Sequence, residues 1–130
     1  MAGTGIEVVP IPKVDEDARR TIFEIESNFG KIVRKTILFV KEGSLIGNHY
    51  HRECTENFLL LSGKVRLWIR EIGQSGMAIS EENKIYEVEA PALITIKPFL
   101  AHRFVCDCPT TLVCDADRPF NPEDAIPFLL

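Results

Sequence analysis

The sequence predicts an all-β fold, a sandwich or barrel formed by a single domain over residues 1–130. Eight prolines and eight glycines are spread along the chain between short runs rich in Val, Ile, Leu and Phe, a distribution typical of many strands joined by turns. Between Lys64 and Glu71, aliphatic side chains alternate with Arg and Trp at the period of two that a strand requires. A chain of 130 residues with 45% hydrophobic residues has the ordinary size and composition of one globular domain.

Nine segments have the composition and length of strands. In chain order they are Thr21–Glu26, Arg34–Val40, Gly47–His51, Glu56–Ser62, Lys64–Glu71, Lys84–Val88, Ala92–Ile96, Ala101–Cys106 and Thr111–Asp115. Gly63 supplies a tight turn between two of them, and the polar stretch 73–83 is predicted as a long hairpin loop.

Both ends of the chain differ in character from the middle. The segments Asp15–Arg20 and Arg118–Asp124 are rich in charge, and proline interrupts the second of them. We expect these segments to wrap, as arms, a barrel core that extends over about residues 34–115.

Composition excludes several classes of function. A net charge of −4 argues against nucleic acid as a partner, because proteins that bind it usually carry a basic face. No apolar stretch approaches the roughly 20 residues that cross a bilayer, so no membrane is expected as a partner. The first residues show no basic segment followed by an apolar run, which favours a cytoplasmic location.

The four cysteines are predicted to be reduced thiols, because their spacing matches no zinc-finger pattern and the chain is not a short secreted scaffold. Cys106 and Cys114 are interpreted as small buried hydrophobic residues. Cys106 and Cys108 share the strand parity of His102, but four strand residues span about 13 Å, too far for His102 and Cys106 to bind one ion. Cys54 lies in the predicted ligand hairpin, where a reactive thiol is one interpretation, but a partly exposed residue without a chemical role is the favoured one.

The residues with the clearest chemistry lie in one predicted hairpin. Residues two apart on a strand point to the same face, so His49 and His51 can direct both imidazoles at one ion while Tyr50 points away. Glu56, at the start of the next strand, brings a carboxylate back beside them. A fourth ligand must come from elsewhere, and His102 is the only other histidine in the chain. The proline turn at Pro98 is expected to place it opposite the hairpin.

The order of residues from Gly43 to Gly63 resembles the first motif of the cupin superfamily. It reads Gly, five residues, His, one residue, His, four residues, Glu, six residues, Gly. The second cupin motif is matched only in part, because Pro98-Phe-Leu-Ala-His102 lacks its glycine and is one residue shorter. The resemblance implies a double-stranded β-helix, or jelly-roll, barrel with one divalent metal bound by His49, His51, Glu56 and His102.

A closer resemblance connects the chain with cupins that act on nucleotide-activated keto-sugars. It is carried by the segments 17–24, Gly47–His51 and Glu56–Val65, and within that group the chain most resembles the cupin domain of capsular-polysaccharide enzymes that epimerise a 4-keto sugar using zinc. The reductase domain of those enzymes is missing from this sequence. The resemblance implies a nucleotide-linked sugar as the small-molecule ligand.

Three functions are compatible with the predicted ligand set. The first is a keto-sugar isomerase or epimerase, in which a metal polarises a carbonyl and a general base, Tyr86 or an unliganded His102, moves the proton. The second is an oxygenase that uses ferrous iron, and the third is a non-catalytic sugar-binding cupin. The ligand set suits zinc, manganese, iron or nickel and does not choose among them.

A homodimer is also expected. A sandwich of this length exposes sheet surface, and Leu59, Leu61 and Trp68 are predicted to lie on the face opposite the metal pocket. Large exposed apolar patches usually mark contacts between proteins.

Overall fold

Strands make up most of the protein. The structure, a computed structural model, describes residues 5–18, 21–23 and 30–130. The strands are β1 (Ile6–Pro10), β2 (Lys13–Glu16), β3 (Thr21–Phe23), β4 (Arg34–Val40), β5 (Ser44–Tyr50), β6 (Glu56–Ser62), β7 (Lys64–Glu71), β8 (Lys84–Glu89), β9 (Ala92–Ile96), β10 (Leu100–Cys106), β11 (Thr110–Ala116) and β12 (Ile126–Pro127). One short 3₁₀ turn, Pro122–Asp124, precedes the last strand.

The strands form two five-stranded antiparallel sheets that pack into a jelly roll. Sheet 1 has the order β1-β9-β6-β11-β4, and sheet 2 has the order β12-β5-β10-β7-β8. Strands β2 and β3 pair separately as a small two-stranded sheet. The predicted all-β fold is confirmed. Within the described residues, no helix is long and apolar enough to cross a membrane.

Four of the predicted strands, β4, β6, β7 and β9, have the expected bounds, and the polar stretch 73–83 is the loop of the β7–β8 hairpin. The predicted strand Thr21–Glu26 is described only as far as Phe23, and the remainder lies outside the described residues. Three strands, β1, β2 and β12, were not predicted. Strand β1 pairs with β9 and β12 pairs with β5, so the sheets extend beyond residues 34–115 at both ends of the chain.

The hydrophobic core lies between the two sheets. Phe104 and Leu67 of sheet 2 and Leu60, Ile94 and Leu112 of sheet 1 are fully buried there. Burial alternates along β11, as expected for a strand with one face on the core and one on the outside. Each such Leu or Phe side chain stabilises the fold by about 2 kcal/mol, and together they hold the sheets at a fixed separation.

A bulge shapes the strand that leads to the predicted ligands. Gly47 has a φ of +113° and the next residue, Asn48, a φ of +61°. The register between β5 and β10 shifts here, so that His49 lies opposite His102 and Gly47 opposite Arg103. A Cβ atom at Gly47 would lie 2.4 Å from the backbone oxygen of His102, which no side chain tolerates. Glycine at this position therefore allows the two histidine-bearing strands to approach each other.

Replacing this glycine is expected to damage the fold at the site. Gly47→Ala adds both the strain of a positive φ and a collision with backbone, whereas Gly43→Ala, at φ +80° with open space around its Cβ, adds the strain alone. We expect Gly43→Ala to lower the free energy of unfolding by about 1 kcal/mol and Gly47→Ala to lower it by at least about 2 kcal/mol more. Urea unfolding of both variants measures the difference, and equal losses would contradict the close approach.

The outer face of sheet 1 carries a continuous row of apolar side chains. Strand registers align one residue from each of the five strands, and these are Val9, Leu93, Leu59, Val113 and Ile37. Ile37 is 60% exposed, and Phe39 beside it on β4 is 81% exposed. Trp68 does not join Leu59, because it lies in sheet 2 with the guanidinium of Arg103 4.1 Å above its ring.

We expect this row to be the contact of a homodimer, because an apolar strip across a whole sheet face is unfavourable in water. Ile37→Asp should convert the dimer to a monomer at tens of micromolar. Leu45→Asp is the matched control, since Leu45 is also exposed but lies on β5 of sheet 2. Light scattering of the three proteins provides the test, and a monomeric wild type would contradict the expectation.

Candidate metal centre

The hairpin between β5 and β6 carries three of the four predicted ligands. His49 is the penultimate residue of β5, His51 follows the end of that strand, and Glu56 is the first residue of β6. The ring centroids of His49 and His51 are 4.9 Å apart. Tyr50, between them, points to the opposite side and is buried in a second apolar cluster with Phe99 and Phe128.

His102 completes the group from β10, the strand beside β5. Its side chain is almost fully buried, and its ring centroid lies 4.8 Å from that of His49. Its Nδ1 is 2.9 Å from the backbone oxygen of Leu100. Because a carbonyl oxygen only accepts, Nδ1 carries the proton, which leaves Nε2 unprotonated, with a lone pair available to bind a metal.

The imidazole of His51 is oriented in the same way by the end of the chain. Its Nδ1 lies 2.7 Å from the backbone oxygen of Asp124, so this nitrogen is also the donor. Nε2 then faces Oε1 of Glu56 at 3.1 Å. That contact lacks hydrogen-bond geometry, and within the described residues both atoms are buried without a hydrogen-bond partner.

This arrangement fits a cation. One ligand atom from each of His49, His51, Glu56 and His102 lies within 4.8 Å of the others. A buried carboxylate oxygen that faces an unprotonated imidazole nitrogen places two acceptors in contact, which is unfavourable unless a proton or a metal ion lies between them. Three imidazole nitrogens and one carboxylate oxygen form a donor set that zinc, manganese, iron and nickel accept.

Electrostatics keeps two of the four donor groups, Glu56 and His102, in the state that binds a metal. Burial alone would raise the pKa of Glu56, but the contact with His51 and the charges of His102 and His51 outweigh it and lower the pKa to about 2. Burial, reinforced by the proximity of His49, lowers the pKa of His102 to about 4. At neutral pH the cluster therefore offers an ionised carboxylate and a neutral imidazole at its most buried positions.

Asp124 clamps the turn between the two strands that carry the ligands. Its carboxylate is buried and accepts hydrogen bonds from the backbone N–H groups of Arg52 (2.7 Å), Glu53 (3.3 Å) and Cys54 (3.2 Å). Its backbone oxygen holds His51. One residue from the C-terminal segment thus fixes both the path of the ligand hairpin and the orientation of one imidazole.

The cluster lies in a cavity of about 480 Å³ between the sheets. Apolar side chains such as Ile46, Phe58 and Phe104 line its depth. Arg34, Arg118 and Phe120 also contribute to the lining. The cavity has the size that usually accommodates a small organic ligand.

Two cysteines, Cys54 and Cys114, line this cavity. Cys114 is buried as predicted, but its Sγ is 3.4 Å from Oε2 of Glu56 and donates a weak hydrogen bond to it. Cys54 is buried rather than partly exposed. Burial raises the pKa of both thiols, and the negative charge of Glu56 raises it further. The pKa of Cys54 is about 11, and neither cysteine is a thiolate at neutral pH. The described cysteines are free thiols.

Tyr86 lies outside this site. It is on β8, the outermost strand of sheet 2, opposite Leu67, and packs against the main core. It is not among the residues that line the cavity. His102, the other residue proposed as a general base, lies within the cluster.

Sequence reasoning did not assign a role to Asp124, Arg34, Arg118 or Phe120. The pattern Asn121-Pro122 is a signal for a turn start, and the structure shows Asn121 capping the 3₁₀ turn with its side chain. Such a signal locates the turn but does not reveal which backbone amides Asp124 reaches about 70 residues earlier in the chain.

Comparison with known proteins identifies the fold. Neither a protein-family model nor a curated protein sequence matches the chain. Among solved structures, a sugar 3,4-ketoisomerase from Thermoanaerobacterium thermosaccharolyticum in complex with TDP is 18% identical, with a TM-score of 0.75 over 95% of this chain and 88% of that one. The dTDP-4-dehydrorhamnose 3,5-epimerase of Sulfolobus tokodaii is 17% identical, with a TM-score of 0.77 over 95% and 76%.

A third similar structure is the RmlC epimerase of Mycobacterium tuberculosis, which is 16% identical, with a TM-score of 0.77 over 96% of this chain and 69% of that one. At these identities the likeness shows the fold. The jelly-roll fold implied by the resemblance of the segment from Gly43 to Gly63 is confirmed.

Proposed function

We propose that this chain is an isomerase or epimerase of a nucleotide-linked keto-sugar, with one divalent metal ion held by His49, His51, Glu56 and His102. The observation that carries the proposal is the convergence of these four ligand atoms within 4.8 Å in a cavity large enough for a sugar. Support for the substrate comes from the similar structures, which include a sugar 3,4-ketoisomerase in complex with TDP and a dTDP-4-dehydrorhamnose 3,5-epimerase.

The chemistry required is the loss and return of a proton at the carbon beside a ketone. A bound divalent ion would supply a Lewis acid that polarises the carbonyl and stabilises negative charge. The chain supplies the rest. Leu100 and Asp124 orient His102 and His51 through Nδ1, so that both Nε2 atoms face the cluster, and Phe58 and Phe104 in the cavity lining limit the access of water.

Two imidazole nitrogens have alternative roles that depend on the metal. With an ion bound, Nε2 of His51 and Nε2 of His102 are ligands. Without an ion, the same lone pairs are bases that face the cavity. Whether the reaction requires a metal is therefore the most direct test of the proposed function.

The test is proton exchange in heavy water. Protein stripped with a chelator and protein reloaded with zinc, manganese, nickel or anaerobic ferrous iron are incubated with TDP-4-keto-6-deoxyglucose, and deuterium at the carbons next to the ketone is measured by NMR. We expect uptake only in a reloaded sample.

Other outcomes separate the alternatives. Uptake in the stripped protein would overturn the role of the metal and leave an imidazole as the base. Tight binding of the sugar without exchange in any sample would indicate a non-catalytic binding protein, and oxygen consumption by the iron form in air would indicate an oxygenase. Both results would contradict the proposed isomerase.

A further inference from the structure

The two carboxylate oxygens of Glu56 have different surroundings. Oε1 faces the imidazoles, with Nε2 of His51 at 3.1 Å and Nε2 of His102 at 3.8 Å. It is buried and, within the described residues, has no hydrogen-bond partner. Oε2 instead accepts a hydrogen bond from the thiol of Cys114, with Sγ at 3.4 Å. One oxygen is therefore directed at the ligand cluster, and the other is held by a side chain that the proposed function does not use.

The position of Cys114 follows from the order of the strands in sheet 1. Cys114 on β11 pairs with Phe58 of β6, and Glu56 lies two residues before Phe58 on the same face of that strand. Cys114 and Glu56 are therefore diagonal neighbours on paired strands, about 7–8 Å apart along the backbone, a separation that a glutamate side chain can cover. Only 5% of Cys114 and 7% of Glu56 is exposed, so water has little access to their contact.

A thiol suits this position because it orients the carboxylate without neutralising it. The S–H group is a weak, uncharged donor, whereas a lysine or arginine at the same place would pair with the carboxylate and compete with a metal ion. The negative charge of Glu56 therefore stays available to a cation at Oε1, while the hydrogen bond at Oε2 limits rotation of the carboxylate.

The number of oxygens that Glu56 donates decides how many positions remain on the metal. A carboxylate with two free oxygens can bind one ion through both of them. Three imidazoles and one oxygen make four protein ligands, which leaves one position on a five-coordinate ion, and a second carboxylate oxygen would fill it. The contact with Cys114 opposes that second bond, because Oε2 would have to give up its donor in a buried site.

We propose that Cys114 is a positioning residue that keeps Oε2 of Glu56 off the metal, so that Glu56 binds through Oε1 alone and one coordination position stays open for the ketone oxygen of the substrate. The use of that position by a keto-sugar rests on the proposed function. The coordination of the metal by a single oxygen of Glu56 requires only that an ion binds to the four ligands.

The test uses cobalt(II), which accepts the same donor atoms and absorbs visible light, and azide as the probe of the open position. Azide affinity is measured by spectral titration of the cobalt-loaded wild type and three variants. Cys114→Ala removes the donor, Cys114→Ser replaces it with a hydroxyl, and Cys106→Ala removes a thiol buried in the main core, away from the cavity lining. We expect Cys114→Ala to bind one ion per chain but to weaken azide binding by about 10- to 100-fold, and the other two variants to stay within about threefold of the wild type.

Azide affinity separates positioning from a general effect on the fold, because loss of packing lowers stability and not the binding of a small anion to an ion already in place. Crystal structures of the zinc-loaded wild type and Cys114→Ala give the coordination directly. Oε2 should approach to about 2.0–2.2 Å from zinc only in the variant. If Cys114→Ala does not fold, Cys114→Val, which fills the space but lacks the donor, takes its place.

Equal azide affinity of the wild type and Cys114→Ala, or a wild type that binds no cobalt, would overturn the proposal. So would a sulfur-to-cobalt charge-transfer band that Cys114→Ala lacks, because Cys114 would then be a ligand itself. Failure of the inference is distinguishable from failure of the proposed function. Sugar proton exchange by the wild type with equal azide affinities would remove only the role of Cys114. Weaker azide binding in Cys114→Ala, without sugar proton exchange by the wild type, would remove only the isomerase.

Discussion

The variant His49→Ala/His51→Ala is expected to fold and to bind essentially no metal, with less than about one tenth of an ion per chain. Both side chains are partly exposed in the cavity, and neither belongs to the main core, so their loss removes two of four donor atoms without opening the space between the sheets. Metal analysis after reloading with excess zinc and desalting measures the loss. The far-UV circular dichroism spectrum shows that the jelly roll is retained.

Two further variants make this test specific. Tyr50→Phe is the matched control, because Tyr50 lies between the two histidines but points into the cluster on the opposite side. It should bind one ion per chain. Glu56→Gln preserves the shape of the fourth donor while removing its charge, and it should weaken the site without abolishing it. A full equivalent of metal in the folded double variant would refute the assignment of the site.

Replacement of Asp124 by alanine is expected to affect stability and the site together. Three backbone N–H groups in the turn 52–54 lose a charged acceptor, and His51 loses the segment that orients it. With each unsatisfied donor costing about 1–3 kcal/mol and water compensating part of that, we expect a loss of about 3 kcal/mol in the free energy of unfolding. Metal affinity should fall by about 10- to 100-fold, as for other groups that orient ligands.

A neighbouring carboxylate provides the control for this prediction. Glu123 precedes Asp124 in the same 3₁₀ turn but is exposed, so Glu123→Gln changes the net charge by the same amount without touching the clamp. Urea unfolding and a zinc competition titration, applied to both variants, give the two quantities. If Asp124→Ala loses stability but keeps the metal affinity of Glu123→Gln, the residue supports the fold and does not position the ligands.

Features that depend on neighbours along the chain were predictable from the sequence. Short runs rich in Val, Ile, Leu and Phe predicted β4, β6, β7 and β9 with their observed bounds, and β7 also shows the period of two that burial of one sheet face imposes. The hairpin from His49 to Glu56 was predictable for the same reason, since three ligands within eight residues meet through local strand and turn geometry. His102 was identified because the chain has only three histidines.

Which distant residues join the cluster depends on how the strands are arranged in space. Asp124 reaches a turn about 70 residues earlier, and Arg34 shares a face with Glu56 through an intervening strand. Such contacts depend on the order and register of strands, which the hydrophobic pattern of each strand does not specify. For the same reason, the position of Tyr86 was not predictable. A tyrosine can act as a general base, but the strand that carries Tyr86 lies at the edge of sheet 2. The contact between the thiol of Cys114 and Glu56 likewise arises because β11 is the neighbour of β6.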